Sequence, residues 1–128
     1  MPPVQQALVD RWTLIHAAVG SLITVGLWAL NLRWWAVLVV AGLECHWEIF
    51  ENNNTGVWLW KSLGYTAYEG DSPHHTCTDF ALTTLSSVVA ATVAYGAGTE
   101  IAAMASGGFS VVAIIMFLFF LIKSTKKN

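Results

Sequence analysis

The sequence predicts an all-α integral membrane protein: a four-helix bundle with an interfacial aromatic segment between its second and third spanning helices. Three observations predict it. Of 128 residues, 55 % are hydrophobic and only 11 % charged, whereas a soluble domain carries about 25 % charged residues to clothe its surface. Four apolar segments approach the ~20 residues that a spanning helix needs, at 12–30, 34–51, 73–96 and 101–122. Between the second and third lies a stretch too short to span but dense in Trp and Tyr, side chains that prefer the headgroup level. The length suits a single transmembrane domain over 1–128. A net charge of −2 excludes the basic footprint of a nucleic-acid binder. Cys45 and Cys77 form no disulfide framework and read as small apolar fillers.

The first span follows Asp10-Arg11, is too long for the apolar core of a signal peptide, and is expected to stay in the membrane. It ends at Asn31-Leu32-Arg33. The second begins apolar and ends acidic. The third has a defined start, because Ser72 can cap the helix, Pro73 suits its first position, and Asp71 favours the positive end of its dipole. The fourth carries Gly107-Gly108, which predicts a kink or a close helix contact. The aromatic segment, with Trp58, Trp60, Tyr65 and Tyr68, is expected to lie in the interface as an anchor or a lid. Asn53-Asn54-Thr55 matches a glycosylation sequon, which a cytoplasmic location would silence. Arg11, Lys61, Lys123, Lys126 and Lys127 fall on one side of such a four-span chain and Arg33 alone on the other. The positive-inside rule then puts both termini and the long loop in the cytoplasm.

Ionisable residues inside spans are costly and point to function. Glu44, Glu48 and Glu51, spaced i, i+4, i+7, fall within about 60° of one helix face. Stacked in low dielectric, such carboxylates must be protonated, paired or metal-bound. His75 and Asp79, spaced i, i+4 on the third span, can chelate a cation, or Asp79 can tie helices together. His16 sits at a matching depth with Gly20 allowing close approach, and reads either as a packed histidine or as part of the site. His46 points away from the glutamate face, and His74 lies beside the loop. No nucleophile motif, phosphate-binding loop, CxxC pair, HExxH or EF-hand pattern is present.

At these residues the chain resembles the bacterial membrane-protein family UPF0314/DUF2585. Thr13-Leu14-Ile15-His16 is similar to its first block, Glu44-Cys45-His46-Trp47-Glu48-Ile49-Phe50-Glu51-Asn52 to its second, and Gly70-Asp71-Ser72 followed by Asp79 to its third. The likeness spans roughly 11–96, with a looser one to VanZ-like membrane proteins. It implies a shared polar set of His16, Glu44, Glu48, Glu51, Asn52, Asp71 and Asp79. His75 stands where the family tends to have Asn, which favours metal binding.

The expected site opens to the cytoplasmic leaflet. Glu48, His75, Asp79 and Glu44 are its candidate ligands, Glu51 or His16 its proton acceptor, and Asn52, Asp71 and Ser72 its supports. Oxygen and imidazole donors suit Zn, Mn or Fe. Such a metal could polarise a lipid headgroup or activate water for a lipid-linked substrate. The same residues fit a non-catalytic subunit of a larger membrane complex or a homo-oligomer, with the polar cluster as hydrogen-bonded glue; an ion path fits less well, because the fourth span is almost wholly apolar. Antiparallel packing is expected to bring Glu48, His75, Asp79 and His16 to one depth, with the aromatic segment across the mouth.

Overall fold

The computed structural model of the chain describes residues 10–66 and 68–125, all of whose regular structure is helical. The elements are α1 (Arg11–Ala29), α2 (Trp35–Glu51), α3 (Asn54–Ser62), α4 (Pro73–Ala97) and α5 (Thr99–Thr125). Lys126 and Lys127, used above for orientation, lie outside the described residues, as does the side chain of Lys123. Three helices are long and apolar enough to cross a membrane: Arg11–Ala29, Pro73–Ala97 and Thr99–Phe119. α2 is not among them. Its 17 residues reach about 25 Å, and its last turns carry three glutamates.

Local chemistry sets the helix ends. Asp10 caps α1 by accepting from the Trp12 and Thr13 amides, while the Thr13 hydroxyl accepts from the Asp10 amide. The α1–α2 turn places Asn31 and Arg33 in the left-handed region, at φ 69° and 49°. Ser72 caps α4 by accepting from the His75 amide, with Pro73 at the first position, as expected. α3 is the aromatic segment, folded as a short helix. Asn53 caps it through bonds of 2.9 Å from the Thr55 and Gly56 amides, so the sequon residue is a helix cap. Gly56 permits the tight fold-back onto α2: a Cβ there would collide with the Phe50 carbonyl and would lie 2.7 Å from Glu51 Cα.

α1 packs against α2, α4 and α5; α4 also packs against α2 and α5, and α3 against α2. The interior is graded along its length. At one end α4 buries His75 and Asp79, then Thr83 and Ser87, and finally Ala90, Ala91 and Ala94. α2 runs the same gradient in reverse, from Ala36 and Val40 to Glu44, Glu48 and Glu51. Val25, Trp28, Ala90, Ala91, Ala94 and Ala102 close the far end as an apolar cluster. Gly20 is the close contact between α1 and α4, since a Cβ would stand 2.6 Å from Thr83 Cγ2. Gly107 and Gly108 make no such contact, with nothing within 4 Å of a Cβ at either, and α5 runs through them unbroken. Large apolar side chains such as Leu38, Leu43, Val89, Ile115, Leu118 and Ile122 face outward.

Candidate metal centre

Three helix ends meet at the polar end of the interior. The α2 stripe carries its carboxylates inward because Glu44, Glu48 and Glu51 continue the buried face begun by Ala36 and Val40. On α4, His75 and Asp79 occupy one face a turn apart, and Asp71 precedes the cap so that its carboxylate turns back towards His75. From α1, Thr13 and His16 approach the same space.

The ionisable groups form a chain of three overlapping sets. His16, Glu44 and Glu48 form the first, Glu48, Glu51 and Asp71 the second, and Asp71, His75 and Asp79 the third; within each set, candidate ligand atoms lie within 4.8 Å of one another. His16 Nδ1 is 2.6 Å from Glu44 Oε1 and 3.6 Å from Glu48 Oε1. His75 Nδ1 is 3.2 Å from Asp79 Oδ2 and 3.8 Å from Asp71 Oδ2, while its Nε2 is 3.2 Å from Asp10 Oδ2. The central groups are buried. His75 is 2 % exposed, Glu48 4 % and Glu51 8 %. Yet both ring nitrogens of His75, Glu48 Oε1 and Glu51 Oε2 have no hydrogen-bond partner among the described residues. No Lys or Arg among the described residues pairs with Glu44, Glu48, Glu51 or Asp79. Arg11, beside the Asp10 cap, lies over the Phe117 ring instead.

Polar neighbours fix this arrangement. The Asn52 amide donates to the Glu48 carbonyl at 2.9 Å, and its Oδ1 accepts from the Asp71 amide at 2.5 Å, joining the end of α2 to the approach to α4. Gly70, at φ 98°, lets the chain turn there; a Cβ would also press on Asn52 Oδ1 at 3.0 Å. The buried Thr13 hydroxyl donates to Asp79. Over the site, Trp60 packs edge-on against Trp12, Tyr65 and Tyr68, with centroids 5.5, 5.4 and 6.1 Å away. Burial, with Glu51 and Asp71 nearby, pushes the Tyr68 phenol above its ordinary range.

The structure thus gathers His16, Glu44, Glu48, Glu51, His75 and Asp79 at one end, with Asn52 and Ser72 in supporting positions. It does not put Glu48, His75 and Asp79 in one ligand set. Asp71 stands between them and shares a set of candidate ligand atoms with each side, because the turn at Gly70 delivers it from outside the helix that carries His75 and Asp79. Asp10 was also not anticipated; as a helix cap it appears in sequence only as a flanking charge. Thr13 was quoted only within a sequence block, although its spacing from His16 marks the same face. His46 and His74 lie outside the cluster, both exposed, His46 Nδ1 being 2.7 Å from the Gly42 carbonyl. Comparison of the chain with family models, curated proteins and solved structures finds no match.

Proposed function

We propose that this is a membrane protein that holds a divalent metal ion in its carboxylate–histidine cluster and uses it on a lipid or lipid-linked substrate. The carrying observation is the set of atoms on Glu48, Glu51 and His75 that lack a hydrogen-bond partner among the described residues, more than nine-tenths buried and gathered in two sets that overlap at Asp71, with the His75 ring nitrogens each 3.2 Å from a carboxylate. An unmet buried polar group costs about 1–3 kcal/mol, and more if charged, so a cluster of them implies a ligand. A non-catalytic subunit with the cluster as neutral glue would instead be expected to satisfy these atoms within the protein. The donor set of imidazole and carboxylate suits Zn, Mn or Fe, which when bound would polarise a phosphoryl or carbonyl oxygen or acidify water.

The chain's own residues supply the rest. In this reading Asp71 and the groups that share its two sets, His75 and Asp79 on one side and Glu48 on the other, are the ligands, and His16, held by Glu44, is the proton acceptor. α2 serves as a fourth, short membrane helix, completing a four-helix bundle whose charged end, with both termini, faces the cytoplasm of an inner membrane. The likeness to the UPF0314/DUF2585 blocks belongs to the same proposal. Support for a lipid substrate comes from a crevice of about 370 Å³ between α1, α4 and α5, lined by Leu14, Leu82, Leu85, Val89 and Phe109 among others. Thr13 lines it too, and the same residue donates to Asp79. A headgroup at the cluster would therefore leave its chain beside an apolar groove.

Elemental analysis of the purified full chain in mild detergent tests this reading. At least one Zn, Mn or Fe per chain is expected, falling in Glu48→Gln, His75→Asn and Asp79→Asn. Absence of metal from the wild type, or full retention in all three variants, overturns it.

A further inference from the structure

Resting on that metal-binding reading, we propose that the centre takes two divalent cations bridged by the Asp71 carboxylate, rather than one. The first would sit between Asp71, His75 and Asp79, and the second between Asp71, Glu48 and Glu51. Asp71 belongs to both sets, and in each the ligand atoms lie within 4.8 Å of one another. That spread is about the span of two metal–ligand bonds of ~2.1 Å each, so each set can close on one ion with little movement. Each also holds nine-tenths-buried donor atoms without a hydrogen-bond partner among the described residues: on His75, whose ring nitrogens face carboxylates at 3.2 Å, in the first, and on Glu48 and Glu51 in the second.

Charge points the same way. Glu44 has the His16 ring at 2.6 Å and lies outside both sets. Glu48, Glu51, Asp71 and Asp79 then remain as four acidic groups at the centre, and no Lys or Arg among the described residues pairs with Glu48, Glu51 or Asp79. An ion in the Asp79 set alone would leave the buried Glu48 and Glu51 carboxylates together without a cation, whereas one ion in each set reaches all three buried carboxylates. Ions sharing a carboxylate typically lie about 3.5–4 Å apart, the spacing at which a pair can clamp both the attacking and the leaving oxygen of a phosphoryl transfer. This favours phosphate-containing headgroups as the substrate class.

The test is a titration of metal-stripped full-length protein in lipid nanodiscs with Mn²⁺, following bound metal by elemental analysis and spin coupling by electron paramagnetic resonance. Two Mn²⁺ per chain with a coupled spectrum are expected. Glu51→Gln should bind one, with an isolated-ion spectrum, and His75→Asn should likewise keep one. A wild-type protein that binds a single, isolated Mn²⁺ overturns the two-ion centre while leaving the metal-binding reading intact. Binding of none overturns both. Two ions without coupling, or two still held by Glu51→Gln, overturn the bridge. The wild-type count needs no variant to fold.

Discussion

Thr13 places a hydroxyl against Asp79 at a fully buried position, so Thr13→Val, which keeps the shape, deletes that donor together with the acceptor of the Asp10 amide. Leaving a buried acceptor unmet costs about 1–3 kcal/mol. Thermal melting of the purified protein should show that loss in Thr13→Val and little of it in Thr13→Ser; equal melting of Val and Thr forms would refute the role. Tyr68 gives a second expectation. Its phenol keeps its proton in the folded state above the ordinary range, whereas the unfolded chain releases it near pH ~10. Above that pH the unfolded state binds fewer protons, so stability must fall as pH rises. The drop in melting temperature between about pH 9 and 11 should be larger in the wild type than in Tyr68→Phe, and identical drops would remove the cause. Single residues were unevenly legible in the sequence. His75 and Asp79 declare themselves by spacing, because a helix repeats. Asp71 reaches the cluster through a positive-φ glycine turn and an amide bond to Asn52, neither of which leaves a period to read.

Helices carry the clearest agreement between sequence and structure. The glutamate stripe of α2 and the Ser72-Pro73 start of α4 follow from the residues alone. Glycines do not, because what they touch depends on the neighbouring helix. Gly20 meets Thr83 across the α1–α4 contact, while Gly42, Gly107 and Gly108 would meet nothing within 4 Å. Gly20→Ala should therefore cost about 1–3 kcal/mol by overpacking. Gly42→Ala should be neutral or gain about 0.5–1 kcal/mol from helix propensity. Detergent melts of the two variants check this, and a Gly20→Ala protein as stable as Gly42→Ala would show that the helices have slack there. The aromatic stretch was legible as something lying at an interface. Its folding back as α3 was less so, since it depends on Gly56 fitting under the Phe50 carbonyl.

At the scale of the whole molecule the usual arrangement is reversed. The exterior is the apolar part, with Leu38, Val89, Ile115 and Leu118 outermost, while threonines, serines and carboxylates lie inside. In water this distribution would expose large apolar patches; in lipid it is the favourable one. The alanine cluster with Val25 and Trp28 gives that interior a floor. An ion held at the acidic end, as proposed, would meet hydroxyls and then this apolar cluster, which is expected to close the path. Liposomes loaded with a pH- or Mn²⁺-sensitive dye and carrying the protein should stay as tight as empty ones, and sustained flux through them would mean the floor opens. A site closed in this way would hold charge at a fixed depth in the bundle and meet its ligand from one end only.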